Sequence, residues 1–303
     1  MRSAEVAQWC FATLGSPVSE VFFEAGHLGH LYGIELADGR RVAVKVRPTA
    51  ERVFACCAVQ EHLFAAGFPC PRLIAGPARI GSTLITAEEF IDSAAAEAPT
   101  AQTLPRYAEL LCRLVRSAPP HEACGDLSPA PPWIGWDHTE PGTWPIPDDL
   151  ECDLNEIHGP AWIEDAGLLA RACLQAAELP PVIGHMDWES HNLAWRHGQP
   201  VAVFDWDSVA ARPEAAIAGA AGAVFPSFGE TVAASLTQTQ HFLDEYQAAR
   251  DRPFTSHELR VAWAAGTWVL AYNAKKESTI KSGGPYQDVL ITEVTERLSR
   301  AGA

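Results

Sequence analysis

Apolar positions recur with a period of two in the first third of the chain and every three to four residues over most of the rest, so strands come first and helices dominate later. Residues 21–23, 31–36 and 41–46 are strand-like, and Asp38-Gly39 between the last two is the turn expected of a tight hairpin. Pro48 ends the third run. Thr49 is placed to cap a helix whose apolar positions Val53, Cys57, Leu63 and Phe64 carry it to about residue 66, where Gly67 and Pro69 stop it. Short strand-like runs follow at 72–75 and 82–89.

Helical spacing begins at Pro105 with Tyr107, Leu110, Leu111 and Leu114. Residues 119–160 are rich in Pro and Trp without sustained periodicity, and are expected to cross the second part of the molecule as a long ordered excursion. A helix is predicted over 161–179, then a second hairpin formed by 192–195 and 201–204 around the polar turn 196–199, then helices from Pro213 onward. The change from strands to helices near residue 92 predicts an α+β chain of two lobes. Residues 1–92 would form a small antiparallel sheet with a helix, residues 93–303 a larger, mainly helical lobe, with a hinge at about 88–93.

Composition narrows the setting. Of the 303 residues 48% are hydrophobic, enough for a substantial core. Glu5, Gln8 and Glu20 interrupt the start, so it lacks the apolar core of a signal peptide. The longest run of small apolar residues, 215–225, is too short to cross a bilayer. A cytoplasmic location without a membrane partner is therefore expected. The eight cysteines include no Cys-x-x-Cys pair, which indicates neither a zinc knuckle nor a disulfide framework. Twenty-two Lys and Arg against 38 Asp and Glu give a formal charge of −16, which repels a polyphosphate backbone and argues against nucleic acid as a partner. The imbalance is concentrated: residues 1–92 hold 8 basic and 10 acidic residues, and the rest hold 14 and 28. A cationic ligand would be drawn to the second lobe.

The segment that carries most chemistry is 185–207, HMDWESHNLAWRHGQPVAVFDWD. Asp187 is two residues after His185, Asn192 five after Asp187, and Asp205 thirteen after Asn192. A hairpin of that length returns Asp205 beside Asn192 and Asp187. Phosphoryl transfer needs such a set: hard oxygen ligands for Mg²⁺ from an Asn and an Asp, and a separate carboxylate for the nucleophile. Two other readings compete. One is an acidic, solvated surface hairpin. The other is a hydrolase metal centre of His185, Asp187 and His191, which leaves Asn192 and Asp205 without a role. Upstream, Lys45 follows Gly29 of a glycine-rich stretch by sixteen residues, within the strand Val42-Ala43-Val44-Lys45-Val46. A lysine there is ordinarily solvated. Val44 and Val46 would point to the face opposite Lys45.

In identity and spacing, His185-x-Asp187-(four residues)-Asn192 and the following Asp205 resemble the catalytic loop and metal-binding Asp of the aminoglycoside phosphotransferase family, a branch of the protein-kinase-like superfamily. The resemblance covers about residues 20–92 and 105–275. It implies a two-lobed kinase-like fold and transfer of the γ-phosphoryl group of ATP or GTP, with Mg²⁺, to a hydroxyl of a small-molecule acceptor. It implies further that Asp187 is the catalytic carboxylate, that His185 braces its loop, that Asn192 and Asp205 hold the metal, and that Gly26, Gly29 and Lys45 meet the phosphates. The hinge segment Glu88-Glu89-Phe90-Ile91-Asp92 would offer the Glu89 carbonyl and the Ile91 N–H to the purine. The family's acidic partner for the lysine is expected on the following helix. The matching position falls near Cys57, so Glu61, one turn later on the same face, is the candidate. Trp188 and Trp206 are expected to pack, while Glu189 and Asp207 are candidate acceptor contacts. The acidic second lobe favours a cationic acceptor such as an aminoglycoside-like or basic peptide antibiotic. The alternatives are a metabolite kinase for an amino alcohol, sugar or thiosugar, and a non-catalytic nucleotide-binding pseudokinase.

Overall fold

The structure, a computed structural model, describes residues 3–26, 29–92, 95–280 and 283–303. His27 and Leu28 of the glycine-rich stretch and Ser93 at the end of the predicted hinge lie outside the described residues. The first lobe is a five-stranded antiparallel sheet of β1 (Val18–Gly26), β2 (His30–Leu36), β3 (Arg41–Pro48), β4 (Leu73–Ile80) and β5 (Thr83–Glu89), in the order β1-β2-β3-β5-β4. An element not predicted above, α1 (Ser3–Leu14), covers one face with Val6, Trp9, Cys10 and Leu14. Val42, Val44 and Val46 of β3 are buried in that cluster together with Ile85 and Ala87. Alternation along the strand turns Ala43, Lys45 and Arg47 to the other face.

On that side lies α2 (Arg52–Ala65), which starts later than the predicted cap at Thr49. The Thr49 N–H bonds the Ser82 carbonyl at 3.0 Å, and the N-cap position is taken by Glu51 without a side-chain cap. The helix ties the two lobes together. Ala55, Cys56, Val59 and Leu63 belong to the main core of the second lobe. Arg52 donates to the carbonyls of Asp207 (2.5 Å), Val209 (2.6 Å) and Leu127 (3.3 Å).

The second lobe contains two small sheets among helices. In one, β6 (Ala95–Ala96) pairs with β8 (Leu193–Arg196), and β8 with β9 (Gln199–Val203), the predicted hairpin, whose turn places His197 and Gly198 at φ 52° and 73°. In the other, β7 (Pro181–His185) pairs with β10 (Val209–Pro213), a short strand of mostly small residues that no alternation had marked. The helices are α3 (Leu104–Ser117), α4 (Ala161–Gln175), α5 (Glu214–Val224), α6 (Leu236–Ala249), α7 (Ser256–Ile280) and α8 (Pro285–Ala301), with α4 ending before the predicted residue 179. The small-apolar run is α5, buried almost throughout. It touches α7 closely, since a Cβ on Gly219 would stand 1.9 Å from the Ala262 carbonyl oxygen. Among the described residues no helix is long and apolar enough to cross a membrane. The excursion between α3 and α4 has only two short 3-10 turns, and is anchored by the buried Trp136 and Trp144; the Trp144 indole donates to Glu164 at 2.7 Å.

Candidate active site

The paired strands β7 and β10 deliver the central loop. His185, last in β7, lies opposite Val209, and the next residue, Met186, donates its N–H to the Ser208 carbonyl at 2.9 Å. The chain then runs through Asp187 to a short 3-10 turn, Ser190–Asn192. Ser190 fastens this turn to the Ser227 carbonyl through both its N–H (3.0 Å) and its hydroxyl (2.7 Å). The Asn192 amide donates to the Asp187 carboxylate at 2.9 Å and to the Asp187 carbonyl at 3.1 Å, which leaves its side-chain oxygen as an acceptor. The Phe204 N–H bonds the Asn192 carbonyl at 2.9 Å, so the β8–β9 hairpin returns Asp205 to this loop. Asp205 is held at φ 59°, ψ 54°, a left-handed conformation that costs energy in a residue other than Gly, and its carboxylate accepts from Ser208 at 2.7 Å.

His185 is fully buried between the rings of Trp188 and Trp206. One ring nitrogen meets the Phe204 carbonyl at 2.8 Å and the other the Asp187 N–H at 3.3 Å. Burial pushes its pKa below the ordinary value against the opposing pull of Asp205, so the ring is neutral and both nitrogens serve the backbone. It has no lone pair for a metal. His191 is turned outward and pairs with Glu189 at 3.3 Å. The hydrolase centre of His185, Asp187 and His191 is thus not assembled, and no cluster of three or more His, Cys, Asp or Glu suited to a metal occurs among the described residues. Asn192 and Asp205 do suit Mg²⁺, which takes hard oxygens and completes its shell with water and substrate phosphates. Trp188 and Trp206 are buried packing residues, their indoles donating to the carbonyls of Tyr107 and Val203.

Burial, and then the carboxylates of Glu189 and Asp205, push the Asp187 carboxyl up to about 8. Burial raises Glu189 to about 6. The ionised form of Asp187 is the one able to accept a proton, so kcat/KM for the acceptor is expected to rise with pH as that proton leaves. Glu189→Gln removes one of the two repelling charges, and the rise should move to lower pH. A pH profile unchanged by that substitution would show that the two carboxylates do not interact.

In the first lobe, Gly26 ends β1, and Gly29 lies so close to β3 that a Cβ would meet the Val46 carbonyl oxygen at 2.7 Å. Lys45 lies on the face of β3 turned away from the α1 cluster, and its carboxylate partner is Glu88, at 3.1 Å. This corrects the expectation of Glu61, which is exposed: Val53, Cys57 and Gln60 take the inward face of α2 and leave Glu61 outside it. Burial lowers the pKa of Lys45, but Glu88, with Asp207 and Asp205, outweighs it and holds the ammonium above its ordinary value. Asp207 also departs from its expected role, because its carboxylate is engaged by Arg47 at 3.2 Å and bridges the lobes instead of facing an acceptor. At the hinge, the Glu89 N–H bonds the Arg72 carbonyl at 2.9 Å with its side chain exposed, and Ile91 follows half-buried beyond the end of β5.

A cavity of about 370 Å³ opens on Asp187, Glu189 and Asp205. Residues that no motif had marked complete its wall: Trp133, Asp148 and Asp149 from the excursion, Asn273 and Lys276 from α7, and Tyr286 from α8. Lys276 pairs with Asp149 at 2.5 Å, and the Trp133 indole fixes the Met186 carbonyl at 3.0 Å, next to Asp187. The alternation of β3 and β5 was the signal that could have found Glu88; the wall residues carry no local signal.

The model of the phosphotransferase enzyme family matches residues 21–254. The chain belongs to that family. It is a small-molecule phosphotransferase with a two-lobed, kinase-like fold. No curated protein matches the phosphotransferase. Among solved structures it is similar to spectinomycin phosphotransferase APH(9)-Ia in complex with ADP and spectinomycin, at 12% identity and a TM-score of 0.62 over 100% of this chain and 94% of that one. It is also similar to a thermostable mutant of aminoglycoside phosphotransferase APH(4)-Ia with ADP and hygromycin B (11%, TM-score 0.56, 98% and 97%). An aminoglycoside phosphotransferase from Alicyclobacillus acidocaldarius is similar at 14% identity (TM-score 0.55, 96% and 93%).

Proposed function

We propose that this phosphotransferase moves the γ-phosphoryl group of a nucleoside triphosphate, ATP or GTP, to a hydroxyl of a small cationic molecule. The observation that carries the reading is the acid-lined cavity: Asp148, Asp149 and Glu189 surround the approach to Asp187, with Lys276 as the one basic wall residue among those described. Asp187 orients the acceptor hydroxyl and takes its proton, fixed in place by the Asn192 amide. Lys45 binds the α and β phosphates together with the backbone of Gly26 and Gly29, while the Glu89 carbonyl and Ile91 N–H meet the purine. Asn192 and Asp205 would hold Mg²⁺, which when bound neutralises charge on the transferring phosphates. The lobes divide as 1–92 and 93–303, with the nucleotide between them, and the use of a nucleoside triphosphate supports a cytoplasmic location.

Similarity to enzymes crystallised with spectinomycin or hygromycin B supports an antibiotic acceptor of the aminoglycoside kind, or a basic peptide antibiotic. The modest cavity and the Lys276–Asp149 pair favour a second reading, a compact amino alcohol, sugar or thiosugar. A nucleotide-consumption screen over both classes tests the choice. For a cationic acceptor, KM should rise with salt, because charges partly open to solvent are screened over about 8 Å at physiological ionic strength. Asp148→Asn should raise that KM roughly tenfold through loss of a charge-assisted contact of about 1.5 kcal/mol. A KM indifferent to salt and to this substitution would move a neutral sugar or thiosugar into first place.

A further inference from the structure

Lys45 is nearly enclosed, with 18% of its side chain exposed, and a buried ammonium on a flexible stem needs an anion to fix its position. The helix beside it supplies none. Cys57, the α2 residue nearest the expected place of an acid, is a buried thiol 4.0 Å from the Arg47 guanidinium, and Arg47 is itself drawn to Asp207. That place thus holds a neutral thiol beside a cation and offers the lysine no anion. The anion comes from the sheet. β3 and β5 are antiparallel, with Lys45 opposite Thr86 and Ala43 opposite Glu88, so Glu88 lies on the same face as Lys45, one pair along. Only 5% of the Glu88 side chain is exposed, and its carboxylate meets the Lys45 ammonium at 3.1 Å.

We propose that Glu88 is the positioning residue of this phosphotransferase, a strand-borne carboxylate that holds Lys45 for the nucleotide phosphates in place of an acid on α2. The inference rests on Lys45 as the phosphate-binding residue under the proposed function. Its consequence is mechanical: both partners sit on hydrogen-bonded neighbouring strands, so the pair does not depend on how α2 is oriented.

The experiment compares Glu88→Gln and Glu88→Met, two neutral side chains of similar length, with Glu88→Asp, Glu61→Gln and Lys45→Ala, on variants whose folding is confirmed by thermal melting. Either neutral variant is expected to raise the nucleotide KM by about 10- to 100-fold, the scale of a reacting group misplaced by an ångström, with the acceptor KM unchanged. Glu88→Asp should recover part of the loss, and Glu61→Gln should match the wild type. With the Glu88 charge gone, the ammonium of Lys45 is less favoured, so the alkaline fall of kcat/KM for the nucleotide should move to lower pH; a purely structural role for Glu88 would not move it. Neutral variants with wild-type nucleotide KM and alkaline limb, beside an impaired Lys45→Ala, would overturn the inference alone. A wild-type nucleotide KM in Lys45→Ala would overturn the reading on which it rests.

Discussion

Asp187→Asn is expected to lower kcat by about 10²- to 10⁴-fold, the range a positioned proton acceptor contributes, with nucleotide affinity nearly unchanged. Asp187 lines the acid-rich cavity and is held by Asn192, so the amide can keep the shape and lose only the proposed base. The same substitution should not weaken the fold. The Asp187 carboxyl is raised from an ordinary 3.8 to about 8, so between those values the folded chain binds more protons than the unfolded one. Stability therefore falls as pH rises through that window, and the neutral Asn variant escapes the fall. Thermal melting at the two ends of the window checks this: the advantage of the variant should grow toward pH 8. An Asn variant with wild-type turnover would remove Asp187 from the chemistry.

Asp205→Ala and Asn192→Ala carry the other large effect. Each removes one of the two side chains suited to Mg²⁺, and metal-dependent nucleotide affinity should fall by about 10- to 100-fold. Calorimetric titration of nucleotide with and without Mg²⁺ separates this from catalysis: in the wild type the metal should strengthen binding, and in both variants the gain should shrink. Chelation should stop turnover until Mg²⁺ is returned. Nucleotide binding that gains as much from Mg²⁺ in the Asp205 variant as in the wild type would place the metal elsewhere.

What the sequence made legible was local. The hairpin turn at Asp38-Gly39 and the β8–β9 hairpin are set by residues close in the chain and follow from turn chemistry and period, while the spacing from His185 to Asp205 takes its meaning from the resemblance to the phosphotransferase family. Helical spacing points to an acid one turn beyond Cys57, whereas Glu88 becomes the neighbour of Lys45 only once β5 has paired with β3. Asp207 differs from its expected role for a related reason. Proximity in sequence to Asp205 suggested a role in the cavity, but an arginine from the other lobe takes its carboxylate. Asp148, Asp149, Asn273, Lys276 and Tyr286 were not legible at all, since they converge from an aperiodic excursion and two helices and no spacing links them.

Mass spectrometry of the reaction products separates phosphoryl transfer to an acceptor from nucleotide hydrolysis. A panel of cationic, hydroxyl-bearing compounds is incubated with ATP, Mg²⁺ and either the wild-type protein or Asp187→Asn, and every acceptor is weighed beside the nucleotide released. At least one acceptor is expected to gain a single phosphoryl group in step with the ADP formed by the wild type, and the Asn variant to form almost none. Nucleotide hydrolysis with no phosphorylated acceptor, or phosphorylation that proceeds equally in the Asn variant, would contradict the proposed function.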